Sequence, residues 1–194
     1  RQQWRNDLYR KNPSLQGKPI SLPVVTCGVT HALCVFGEMW ADPGDCMILP
    51  RMMWGNYNLI FSVRRGVQFD HYELFTEHGG FNTGAFEAAV RQAAGRHDKI
   101  IVLLNFPQNP SGYTLSTAES EEVVHILEET ARAGSNVIAV TDDSYFGLYY
   151  EPEVLAESLF ARLAGRHERL LAVKLDGATK ENFVWGLRVG FVTY

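Results

Sequence analysis

Apolar residues in this chain fall into two kinds of run. Short, nearly continuous ones occupy residues 46–50 (CMILP), 100–106 (IIVLLNF), 136–141 (NVIAVT) and 170–175 (LLAVKL). Runs of this length with no polar alternation predict strands covered on both faces. Residues 66–70 predict a weaker strand. Between the strands, apolar positions recur at helical spacing. Residues 30–40 predict an apolar helix after Gly28, stopped by Asp42, Pro43 and Gly44. Residues 84–94 carry Phe86, Ala89, Val90 and Ala93 on one face. Ser116 and Glu119 form a capping box opening a third helix that bears Val123, Ile126, Leu127 and Thr130, with Gly134 as its stop. Strand and helix in alternation predict an α/β domain with a mainly parallel sheet.

In such sheets ligands gather where the carboxyl ends of the strands meet the loops. That rule singles out Gly28–Thr30, Asn105–Gly112, Asp142–Tyr145 and Gly177–Lys180. Composition narrows the classes of function. The 194 residues carry a net charge of −4, which speaks against nucleic-acid and polybasic membrane partners. No apolar run is long enough to cross a bilayer. Arg1 opens a polar stretch with no secretory leader. Cys27, Cys34 and Cys46 match no zinc spacing and predict buried, reduced thiols in a cytoplasmic protein. There is no initiator Met, and Tyr194 lies in an apolar run (Val189, Phe191, Val192) that reads as a strand just entered. A piece of a longer chain is the expectation.

The chemistry gathers at the four strand ends. Lys180 follows a buried strand and three small or hydroxylic residues, Gly177, Ala178 and Thr179. A desolvated lysine there can act as a Schiff-base nucleophile. Arg188, between Gly186 and Gly190, can clamp a phosphate with its planar fork. Either residue alone is also compatible with a solvated surface charge. Asn109-Pro110-Ser111-Gly112 reads as a turn. Asp142 and the competing acid Asp143 both follow a strand shortly before Tyr145, where an acid can also cap a helix or face water. Gly28 before Val29 and Thr30 offers free backbone N–H groups at a helix start. His31 reads as a helix-surface or packing residue. Trp54, in the run Trp54-Gly55-Asn56, reads by itself as a core residue.

Taken in order, these motifs resemble those of class I/II, fold-type I aminotransferases over roughly residues 22–194. Phe183 departs from the pattern, where that family has a smaller residue. The resemblance implies a seven-stranded mixed, mainly parallel sheet sandwiched by helices. It implies residues 1–21 as a helical lead-in and 22–194 as the large domain that binds pyridoxal 5'-phosphate, with a C-terminal small domain outside this chain. It gives Lys180 the covalent hold on the cofactor, Asp142 the ring nitrogen, and Asn109 and Tyr145 the phenolic oxygen. Val29, Thr30 and Arg188 receive the phosphate, and Trp54 stacks on the ring. Tyr57 steadies Asp142. Amino-group transfer between an amino acid and a 2-oxo acid, by a homodimer, is the implied activity. A lyase or decarboxylase on the same core, or a non-catalytic cofactor-binding module, is the alternative.

Overall fold

A computed structural model describes residues 1–194. Seven strands form one sheet: β1 (Val24–Thr26), β2 (Cys46–Pro50), β3 (Gln68–Tyr72), β4 (Lys99–Leu104), β5 (Asn136–Asp142), β6 (Leu170–Gly177) and β7 (Gly190–Thr193). Their spatial order is β1-β7-β6-β5-β4-β2-β3. Only β7 runs against its neighbours, pairing antiparallel with both β1 and β6. The expected mainly parallel, seven-stranded sheet is therefore the observed one. Six helices surround it: α1 (Gln2–Lys11), α2 (Val29–Trp40), α3 (Thr83–Ala94), α4 (Thr117–Arg132), α5 (Leu159–Leu163) and α6 (Ala178–Glu181).

The central strands β2, β4, β5 and β6 are largely apolar because both faces are covered, whereas the edge strand β3 carries Gln68, Asp70 and His71. Alternate residues serve opposite layers. Ile100, Val102 and Leu104 of β4 join a core with Phe86, Val90, Val123, Leu127 and Phe160 under α3, α4 and α5. Ile101 and Leu103 join the other core, with Leu33 and Phe36 of α2 and with Phe61. Each such fully buried side chain contributes about 1.5–3 kcal/mol. Leu8 carries α1 into the first core, and Trp4 packs against it. The Ser116–Glu119 capping box is present at α4 with both of its hydrogen bonds.

Several sequence expectations need correction. The 100–106 run ends as a strand at Leu104, because the Asn105 side chain leaves the ladder to bond Asp142 and the Asn109 backbone. The weak strand lies at Gln68–Tyr72, not 66–70, since Gly66 turns with φ +72° against Pro43. Of the three free cysteines only Cys46 is buried; Cys34 is half-buried and Cys27 exposed. Cys27 precedes the α2 turn at the rim of the sheet, where no layer covers it. No helix is long and apolar enough to cross a membrane.

Candidate active site

The parallel strands end along one rim, and the loops leaving β1, β2, β4, β5 and β6 enclose a cleft open to solvent on one side. Lys180, Asp142, Tyr145, Val29, Thr30, Trp54, Asn109 and Arg188 all line it. The four strand ends singled out by the parallel-sheet rule thus meet at one place.

One end of the cleft gathers groups that can hold an anion. Gly28 turns with φ +88°, and α2 starts directly after it. Asn82 and Ser116 cap α3 and α4 with their side chains, but nothing caps α2. The Val29 and Thr30 N–H groups donate to no acceptor in the chain. The Arg188 guanidinium lies against the same turn and forms no ion pair. A Cβ on Gly28 would sit 2.8 Å from Arg188 Nη2. Arg188 itself has a left-handed backbone, φ 49° and ψ 53°, a conformation a branched or bulky residue adopts only under constraint. Gly190 lets β7 pass beneath, because a Cβ there would be 2.5 Å from the Gly28 carbonyl carbon. Free N–H groups, a helix dipole and a guanidinium converge where an anion would sit.

The opposite end holds a buried acid. Asp142 closes β5 and is 3 % exposed. Burial raises its pKa, opposed by hydrogen bonds from Ser144 and Tyr57 and reinforced by the Asp143 charge. Tyr57 donates to Oδ2 at 2.6 Å. The Ser144 hydroxyl and N–H donate to Oδ1 at 2.6 and 3.1 Å. Burial beside that carboxylate pushes the Tyr57 hydroxyl well above the usual phenol range. Tyr57 therefore does hold Asp142, as expected. Asp143, the competing acid, lies outside the cleft. Its carboxylate bonds Lys174 and accepts from Ser158 at 2.5 Å.

Between the two ends stand the amine and the phenol. Lys180 Nζ lies 4.3 Å from the Tyr145 ring centroid, within cation–π range. The buried setting expected for Lys180 is not found: it is half-buried, because the open side of the cleft reaches it. Asn109 Nδ2 donates to the Tyr145 hydroxyl at 3.4 Å. Trp54 is half-buried, lines the cleft and lies perpendicular to the Tyr57 ring, centroids 5.4 Å apart.

Two residues that hold this loop cluster together lie in the singled-out segment 105–112 but receive no role from the sequence. Asn105 donates to the Asp142 carbonyl at 2.8 Å and accepts from the Asn109 N–H at 2.9 Å. It fixes the acid against the amide. Gln108 donates to the Met52 carbonyl at 2.7 Å and accepts from the Ser111 N–H and hydroxyl, joining the Trp54 loop to the Asn109 turn. Asn105, a polar residue directly after an apolar strand, marked the place but not the role, and Gln108, further along the loop, carried no local cue. Ser144, two residues past Asp142, has the spacing of an Asx turn.

The donor set fits pyridoxal 5'-phosphate. It offers an anion cradle that a Cβ would fill, a buried carboxylate for a ring nitrogen, two hydrogen-bond donors, an aromatic wall and an amine. Comparison with known proteins points the same way. A family model described as aminotransferase class I and II matches residues 4–194. The aspartate aminotransferase of Rhizobium meliloti is 28% identical over 192 residues, 96% of this chain and 42% of that protein. Rice 1-aminocyclopropane-1-carboxylate synthase 6 is 27% identical over 129 residues, 66% of this chain and 23% of that protein. The crystal structure of an aminotransferase from Anaerococcus prevotii superposes with a TM-score of 0.81 at 26% identity, over 94% of this chain and 46% of that one. The chain spans about two-fifths of the length of the bacterial aminotransferases it matches and less of the rice synthase.

Proposed function

The chain belongs to aminotransferase class I and II, a family dependent on pyridoxal 5'-phosphate, and from that premise we propose that the full-length protein transfers amino groups between an amino acid and a 2-oxo acid. In this reading residues 22–194 are the cofactor-binding large domain and residues 1–21 lead into it. The protein acts as a cytoplasmic homodimer. The observation that carries the reading is the convergence of Lys180, Asp142, Asn109 and Arg188 on one cleft whose far end is an uncapped helix start.

Bound there, the cofactor supplies an aldehyde carbon for an amino group and a ring that takes up electron density. The chain's residues do the rest. Thr30, the Val29 and Thr30 N–H groups and Arg188 bind the phosphate. Trp54 covers one ring face and excludes water from it. Asp142 holds a proton at the ring nitrogen, while Tyr57 and Ser144 keep its carboxylate turned into the cleft. Asn109 and Tyr145 donate to the phenolic oxygen. Lys180 holds the cofactor covalently at rest. With the cofactor bound, the Lys180 amine would be the group placed to take a proton from the substrate α-carbon.

A second reading keeps the same core but ends in elimination or decarboxylation, and the likeness to a relative named as a synthase favours giving it a test. A panel of amino donors with the full-length protein separates the two. Transamination predicts one 2-oxo acid per amino acid consumed, without ammonia or carbon dioxide. Release of either gas-forming product in equal amount would contradict it. A non-catalytic module predicts cofactor binding with no turnover of any donor.

A further inference from the structure

Lys180 stands on α6, which has four residues, none of them buried, and no side-chain cap at Gly177. A helix that short has no stability of its own. Beyond it the chain runs through the exposed residues Phe183, Trp185 and Leu187. The turn that carries the amine therefore depends on contacts from elsewhere. Two polar contacts reach it from α1, at the other end of the chain.

Before the turn, Asp176 is 2 % exposed on β6, and its carboxylate accepts the Trp4 indole N–H at 3.2 Å. Trp4 is fixed in turn by stacking on Phe191, centroids 4.1 Å apart and planes 19° from parallel. Within the turn, Lys11 Nζ donates to Glu181 Oε1, on the residue next to Lys180. Lys11 also pairs with Asp7 at 2.5 Å. The Lys11 and Glu181 side chains are only 21% and 15% exposed, so this pair is shielded better than an ordinary surface ion pair. Partial burial works against the Lys11 ammonium, but hydrogen bonds and charge from Asp7 and Glu181 outweigh it and raise its pKa.

We propose that Lys11 is a positioning residue for the reaction, acting through Glu181 to fix the turn that presents Lys180 to the cleft. The proposal rests on the reading of Lys180 as the cofactor-bearing amine. Lys11 touches neither substrate nor cofactor. Its effect is on where the amine stands and how often the turn opens.

The test uses the full-length protein with pyridoxal 5'-phosphate, as Lys11→Met, Glu181→Gln, the double variant and Lys11→Arg. Amide exchange across residues 178–182 is read alongside the rate of cofactor loss on dilution. Each single change is expected to speed exchange in that turn by about fivefold, the scale of one shielded ion pair. Cofactor loss should quicken with it. The double variant should be no worse than either single one, and Lys11→Arg should restore both readouts. Asp7→Asn removes the other Lys11 partner, spares Glu181 and should leave the turn's exchange unchanged. Unchanged exchange in Lys11→Met, additive effects in the double variant, or an equal change in Asp7→Asn would each overturn the proposal. Failure of the underlying reading looks different: a cofactor absorbance band that survives Lys180→Ala removes Lys180 from the chemistry while the exchange data still judge the tether.

Discussion

Asp142 is a carboxylate under opposed pressures, and its neighbours decide how it behaves. Burial drives it toward the neutral acid, while Tyr57 and Ser144 stabilise the charge. Tyr57→Phe deletes one donor and keeps the ring packed against Trp54 and Phe61. The Asp142 pKa then rises further, and the acid limb of a kcat/KM profile should move to higher pH. The loss in kcat/KM should be about tenfold to a hundredfold, the value of one hydrogen bond to a charged group. Asp142→Asn cannot hold a proton at the ring nitrogen, and kcat should fall by on the order of 10²-fold or more. At the other end of the cleft, Gly28→Ala places a side chain at φ +88° and against the Arg188 guanidinium. We expect cofactor affinity, measured by titration of absorbance, to fall by at least about tenfold, since backbone strain of about 1–2 kcal/mol adds to a filled anion cradle.

At the scale of elements, the buried charges behind α6 set a pH dependence. Lys174 on β6 is 1 % exposed and bonds Asp143, with Asp176 at 3.6 Å. With both acids ionised the group carries a net negative charge in a dry core. Burial accordingly lifts Asp176 to about 6, helped by the Asp143 charge and opposed by Lys174. The folded value lies above the unfolded value near 3.8, so the associated stability is full below that value and is lost as pH rises through about 6. Comparing the denaturation free energy of wild type with Asp176→Asn from about pH 5 to pH 7.5, the wild type should lose on the order of 1–2 kcal/mol more. A second prediction concerns α4, where Ser116→Ala removes half of the capping box and should cost about 1 kcal/mol in the same measurement.

The same elements mark what the sequence made legible. β2, β4, β5 and β6 could be read because strands covered on both faces are apolar at most positions, Lys174 and Asp176 of β6 being among the buried exceptions. β1 could not, since it has three residues and Val24 and Val25 are exposed. Nor could the reversal of β7, because strand direction leaves no trace in an apolar pattern. The Asp176–Trp4 contact joins residues 172 apart in sequence, beyond any local pattern. In the cleft, residues with spaced motifs could be named in advance. Asn105 and Gln108 could not, because their work is to join loops that only the fold brings together.

Across the whole molecule, one sheet brings an anion cradle, a buried acid and an amine from distant parts of the chain to a single rim, and the chemistry follows from that arrangement. The identity of the amino donor belongs to the full-length protein, of whose bacterial relatives this chain spans about two-fifths. The most direct test of the account asks which side chain carries the cofactor. Full-length protein incubated with pyridoxal 5'-phosphate is reduced with borohydride, digested and mapped by mass spectrometry. The account predicts one phosphopyridoxyl adduct, on Lys180. An adduct on Lys174, Lys11 or another lysine, or none at all, would contradict it.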